Sequence, residues 1–299
     1  MFAPEDVELL GTPAQNGTRM RRPSSVSQIL RVISDDLEHG RRDLDVGKQA
    51  DEPPIHVLVA ADRQTRRRAY QLAHRVYSGR GYASDSDGLI VSPYDADPRT
   101  FTLLVVDDRG RDAATITLVF DSDKRLPSDE IYGGELDALR AQGRRLAEVT
   151  RLAISEEHQR YKSLLVRLFD FVYVFARPVK GYDDFVIEVN PRHVQYYRRL
   201  LAFEVAGPER PCPRVQGAPA VLLRLDLAHG ENCLRQSRAN PGACGRSLFS
   251  SMCSWIEEGA IAEFLCRSHK PMSADDADYF GLQPFGNVQA QAPMLAAGQ

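Results

Sequence analysis

The chain is poor in tryptophan, with one in 299 residues, and its five cysteines, at positions 212, 233, 244, 253 and 266, form no Cys-x-x-Cys pair. Zinc ribbons and dense disulfide frameworks need closer, paired spacing, so the thiols read as reduced and structural and no metal is expected. No uninterrupted apolar run approaches the ~20 residues that a membrane helix requires, and no span is expected. An excess of one charge is missing too. With 38 basic and 41 acidic residues the net charge is −3, so no global field would hold the chain on nucleic acid or an anionic membrane. P-loop, GxGxxG, HExxH and GxSxG motifs are absent, which removes the motif basis for nucleotide, zinc-protease and serine-hydrolase chemistry. The first residues carry acids early and no signal-like apolar stretch, so a cytoplasmic location is expected.

What is present is an ordinary globular composition, 43% apolar and 26% charged, on a chain long enough for one large domain with appendages. Residues 1–54 read as a tail rich in Gly and Pro, a docking helix over SSVSQILRVISDDLEH, and a charged linker. From residue 55 to 227 short β-branched runs alternate with helical stretches. Strands are expected at 55–61, 100–108, 111–122, 145–155, 184–189 and 218–227, with helices at 62–77, roughly 158–177, and after Pro191. This is an α/β (α+β) pattern with a mixed, mostly antiparallel sheet flanked by helices. Residues 228–299 change composition and read as a helical appendage and tail.

Three stretches could carry chemistry. Within 145–155, regular alternation puts Glu148, Thr150 and Leu152 on one face and Val149, Arg151 and Ala153 on the other, unless a bulge intervenes. A carboxylate among apolar strand residues needs either an ion-pair partner or a chemical role. Glu148 is thus paired with Arg144 or Arg151 at a sheet edge, or it is a desolvated general base. Residues 140–180 hold nine Arg or Lys against four acids, a local +5, with Arg160 and Lys162 opening the long helix where an anion is favoured. That surplus is either an anion-docking patch or a solvated basic face. In NPRHVQYYRRLLAFE (190–204), His193 lies in the first helical turn and is either a polar site residue or a solvent-facing histidine.

The strings AHRVYSGRGYASDSDGLIVSPYDADPRTFTLLVV (73–106), LAEVTRLAI (146–154) and VNPRHVQYYRRLLAFEVAGPERPCPRVQGAPAVLLRLDL (189–227) resemble the bacterial long-chain N-acyl amino acid synthases. These have the Gcn5-related N-acyltransferase fold and are relatives of the acyl-homoserine-lactone autoinducer synthases. The resemblance implies that Glu148, Thr150 and Arg151 match the Glu-x-Ser-Arg of the autoinducer synthases, with Thr for Ser, as base and site residues. It further implies substrate-binding roles for Arg75, Tyr77, Tyr82, Asp95 and Asp97, and places His193 and Tyr197 in the most specific matching segment; Arg75 or Arg151 would hold the acceptor carboxylate. Coenzyme A-using members have a glycine-rich pyrophosphate loop where this chain reads HQRYKSLL (158–165). Its absence implies acyl-phosphopantetheine on acyl carrier protein as the donor, with no bound cofactor, an amino acid as acceptor, and Arg144, Arg145, Arg160 and Lys162 as the docking cations. The competing expectations are a lactone-forming synthase and a non-catalytic carrier-binding module. Leu164, Leu168 and Phe171 line an acyl tunnel or belong to the core, and the C-terminal helices are expected to cap the tunnel.

Overall fold

In the computed structural model, which describes residues 54–83, 88–240 and 247–283, an eight-stranded sheet runs through the molecule. The docking helix expected near residues 24–39 lies outside the described residues. The strands are β1 (Ile55–Val59), β2 (Phe101–Asp107), β3 (Asp112–Phe120), β4 (Leu146–Ile154), β5 (Asp184–Val189), β6 (Glu204–Val205), β7 (Arg210–Cys212) and β8 (Ala218–Asp226). Their order is β1-β2-β3-β4-β5-β8-β6, with β7 also on β8, and every pairing is antiparallel except β4 with β5. The mixed, mostly antiparallel sheet flanked by helices agrees with the sequence pattern.

Helices α1 (Arg63–Ser78) and α2 (Asp129–Ala141) cover one face. On the other lie α3 (Lys162–Val174), α4 (Val194–Leu201), α5 (Leu227–Ala239) and α6 (Trp255–Ser268), while the short α7 (Ala274–Tyr279) returns to α1. The largest cluster joins Leu103, Ile116, Leu118 and Phe185 of the strands to Leu164, Leu168 and Phe175, all essentially unexposed. Burying such side chains contributes about 1.5–3 kcal/mol each relative to exposure. The C-terminal appendage is tied in by polar contacts as well. Buried Asp170 on α3 accepts the Cys253 N–H at 2.9 Å, and Arg66 on α1 meets Asp276 on α7 at 3.1 Å.

Helix α2 is not evident from apolar periodicity, because Gly133-Gly134 interrupts it. Its start signal is nevertheless in the sequence: Ser128 followed by Asp129 and Glu130. The helix kinks at Tyr132, whose fully buried ring is held by O–H donation to the Ala220 carbonyl at 2.7 Å and the Pro208 carbonyl at 2.9 Å. Gly207 lies against that ring, and an added Cβ would come within 2.7 Å of Tyr132 Cδ1 and 3.2 Å of Leu222 Cβ. Replacing Gly207 by Ala must therefore displace Tyr132 and the start of α2. A loss of about 1–3 kcal/mol is expected in urea unfolding, as for other overpacked cores.

Candidate active site

A β-bulge in β4 shapes the site. Thr117 of β3 opposes Thr150 and Thr115 opposes Ala153, so Ile116 alone faces both Arg151 and Leu152. Arg151 takes a left-handed φ of 49°, a cost for a non-glycine residue. The parallel ladder to β5 consequently stops early, at Glu148 opposite Val186, although both strands run on. A cavity of about 640 Å³ occupies the resulting wedge. Its walls come from β4 from Glu148 onward, β5 from Ile187 onward, Tyr77 of α1, the stretches 80–83 and 89–93, and residues 212–220. Leu165 and Phe169 of α3 close it, whereas Leu164, Leu168 and Phe171 stay in the core. No described residue after Ala220 lines it, so the expected cap of C-terminal helices is corrected: α5 and α6 pack with α3 on the large core cluster, outside the cavity lining.

Glu148 sits on a central strand, 1% exposed, and neither Arg144 nor Arg151 pairs with it. Its Oε2 accepts the Ser128 N–H at 2.8 Å and the Ser128 O–H at 2.6 Å. The serine that would cap α2 thus spends its hydroxyl on the carboxylate, and the helix has no side-chain cap. Burial and then the charge of Glu188 push the Glu148 carboxyl well above the usual range, with the Ser128 donors and Arg214 opposing. Glu188 shares its face of the sheet, two residues past Val186 on β5. Burial raises it also, while Arg214 holds its Oε2 and donates to the Pro127 carbonyl and, at 2.7 Å, to Glu130. Two adjacent carboxyls that resist simultaneous ionisation are the arrangement of a group able to take up a proton near neutrality.

The bulge corrects the expected alternation by returning Arg151 to the face of Glu148. There its guanidinium clamps Asp95 through both terminal nitrogens, one at 2.7 Å, and stands 5.3 Å over the Tyr70 ring. Asp95 also accepts the Ser92 N–H at 2.7 Å. Asp95 thus holds both terminal nitrogens of Arg151 and fixes the wall residues around it, while the Arg151 Nε–H is buried without a partner among the described residues. Asp97 is likewise occupied by Arg99, at 2.9 Å. Arg75 does not reach the cavity: it is exposed on the far side of α1, 3.8 Å from Asp112. Thr150, Tyr77, Tyr82, His193 and Tyr197 do line it.

The +5 stretch is not one patch. Arg140 pairs with Asp121, Asp129 and Asp137, Arg144 with Asp184 and Asp226, and Arg177 with Asp183 and Glu231. Arg145 stacks on Tyr182 at 4.4 Å. Arg144 and Arg145 precede β4 and Arg160 and Lys162 follow it, so the length of the strand separates the two pairs. Arg160 and Lys162 are exposed at the start of α3. Sequence reasoning missed Ser128, Glu188, Arg214 and Arg80. The available signals were an acid in the apolar run DFVIEV and a serine before two acids.

A sheet of this order, opened between its parallel pair, has the Gcn5-related N-acyltransferase fold. The family model for N-acyl amino acid synthase FeeM matches residues 68–226, more than half of the chain, and the chain belongs to that family. Among solved structures, FeeM, an N-acyl amino acid synthase from uncultured soil microbes, is 25% identical with a TM-score of 0.54, over 60% of this chain and 96% of that one. The acyl-homoserine-lactone synthase LasI is 17% identical with a TM-score of 0.48, over 59% of this chain and 91% of that one. A search of curated proteins gave no match. No helix of the described residues is long and apolar enough to cross a membrane.

The raised Glu148 pKa sets a stability signature. In the folded state its proton is held more tightly than the 4.5 of an ordinary glutamate, so its favourable contribution is complete below 4.5 and lost as pH rises through the folded value. Glu148→Gln carries no such penalty. Urea midpoints of the two proteins should diverge in favour of the Gln variant from about pH 4.5 upward and level off above the folded pKa. A constant difference from pH 4 to 9 would show that Glu148 titrates normally.

Proposed function

We propose that the protein moves a long-chain acyl group from acyl carrier protein to the amine of an amino acid, giving an N-acyl amino acid. The observation that carries this reading is Glu148, buried in an open wedge of the sheet with a raised pKa, in a chain of the N-acyl amino acid synthase family. The acceptor ammonium gives its proton to the Glu148 carboxylate, directly or through water. The freed amine lone pair attacks the thioester carbonyl and forms the C–N bond, the C–S bond breaks, the nitrogen's second proton passes to the departing thiolate, and amide and thiol leave. A positioned base of this kind contributes ~10²–10⁴-fold. Backbone N–H groups of β4 beyond Glu148, which have no ladder to β5, are the donors for the developing oxyanion. Leu89, Val91, Leu165, Phe169 and Ile187 give the apolar lining an acyl chain requires, in a cavity of the size usual for ligand sites, ~300–1,000 Å³.

Support for the carrier-protein donor is the glycine-free segment 158–165, where backbone cannot approach a pyrophosphate closely. The docking cations of this reading are Arg160 and Lys162, with Arg144 and Arg145 at the far end of β4 removed from that role. Two experiments test the proposal. Mass spectrometry of reactions with long-chain acyl-acyl carrier protein and each of the twenty amino acids should find one or more amides, formed more slowly from acyl-coenzyme A. Glu148→Gln should lower that rate by ~10²-fold or more, and an undiminished rate would sink the base assignment. Separately, reversing charge with Arg160→Glu and Lys162→Glu should raise KM for the acyl carrier protein at low salt while kcat holds.

A further inference from the structure

The cavity holds a second polar cluster, where buried donors face no acceptor among the described residues. His193 contributes the first. Its Nε2 lies 3.2 Å from the Arg192 Nε–H, and an arginine nitrogen can only donate, so Nε2 is the acceptor. Burial and the adjacent Arg192 and Arg80 charges lower the His193 pKa to about 3, which keeps the ring neutral. A neutral ring accepting at Nε2 carries its proton on Nδ1, and Nδ1 is buried without a partner. Arg80 contributes the second donor: its Nε–H is also buried and unpartnered. Burial disfavours the Arg80 charge, Tyr77 and Tyr82 favour it, Arg192 opposes it and Glu156 favours it, yet no carboxylate forms an ion pair with it among the described residues. Arg192 is steered toward the same place by donating to the Tyr82 hydroxyl at 3.0 Å. All of these side chains except Glu156 line the cavity.

Two buried N–H donors and two guanidiniums, none paired with a carboxylate among the described residues, form a pocket suited to an anion. Leaving buried donors unpaired is costly, and a planar anionic group with two oxygens relieves both at once. We propose that Arg80, His193 and Arg192 bind the carboxylate of the acceptor amino acid, orienting its amine toward Glu148. This rests on the acyl-transfer reading, which requires an acceptor whose amine reaches Glu148; a free amino acid necessarily carries a carboxylate beside that amine. The assignment replaces Arg75, outside the cavity, and Arg151, whose two terminal nitrogens are held by Asp95 and which keeps only its Nε–H unpaired. A phosphopantetheine phosphate has the same anionic chemistry and is the alternative source.

Equilibrium binding without any donor separates these cases from the fate of the acyl-transfer reading. Each of the twenty amino acids is titrated into the full chain by calorimetry, and for those that bind, the corresponding amine lacking the carboxylate is titrated too. The wild type should favour the amino acid over its amine by about 10- to 100-fold, the scale of a hydrogen-bonded charge. Arg80→Gln should weaken the amino acid by a similar factor, leave the amine within about twofold, and so erase the preference. If Arg80→Gln fails to fold, Arg192→Gln, at an exposed position, should reduce the same preference. The proposal is overturned if no amino acid binds, if the amine binds as well as the amino acid, or if Arg80→Gln weakens acyl-phosphopantetheine and spares the amino acid. Carboxylate-dependent binding without amide product would retain the subsite and overturn only the transfer reaction.

Discussion

Past Glu148, β4 and β5 separate, and the backbone groups that a continued parallel ladder would have paired are left facing a cavity. The separation begins in the neighbouring pair, where one extra residue of β4 is accommodated opposite Ile116. A bulge bends its strand and increases local twist, so the edge that pairs with β3 stays joined while the edge toward β5 swings open. The left-handed backbone at Arg151 would be unfavourable in isolation. It is held by the bidentate Arg151–Asp95 pair, which is buried on both sides and anchored to a turn whose own N–H at Ser92 bonds to the same carboxylate. One interaction therefore fixes both the opening of the sheet and the position of the wall that covers it.

The charges around the opening are sorted by this geometry. Glu148 and Glu188 stand together because they project from neighbouring strands on the same face, and Arg214 compensates only part of their charge. Glu188 keeps one buried oxygen unpaired. In the second polar cluster Arg80 and Arg192 approach each other with neutral His193 between their fields. Charges buried in this way are stabilised poorly by the protein and well by a ligand of complementary charge, so desolvation that weakens the empty site strengthens each contact inside it. Tyr77 and Tyr82, 6.4 Å apart and edge to face, stand beside these cations.

Much of the sheet was legible because buried strands read as β-branched runs. Asp184–Val189 coincides with its expected bounds, and the hairpin through Phe101–Asp107 and Asp112–Phe120 falls within a residue or two of them. Glu148 was legible as a misfit, an acid in a run that had to be buried. The bulge was not, since it is a property of two strands in register and no single strand encodes its partner. The faces assigned to Arg151 and Glu148 went wrong for that reason. Helix α2 was hidden by two glycines, and Ser128 with it. Charge summed over residues 140–180 also misled: Arg144 lies 40 residues from Asp184 and 82 from Asp226, and such distant acids neutralise what a local window counts as surplus.

Unsatisfied buried groups explain why the site is a burden on the fold it occupies. Each unpaired buried polar atom costs about 1–3 kcal/mol, and Arg80, Arg151, His193 and Glu188 all hold one at the cavity. A sequence selected for stability alone would fill the wedge between β4 and β5 with apolar side chains, as it fills the rest of the large core cluster with Phe101, Leu118 and Phe175. The same sheet thus carries a close-packed region that supplies stability and an opened wedge that consumes it. The bulge is the point at which one is exchanged for the other. Polar groups that a folded chain keeps unpaired, in a cavity it has opened at the expense of a strand ladder, are the physical mark of a surface shaped by what binds there.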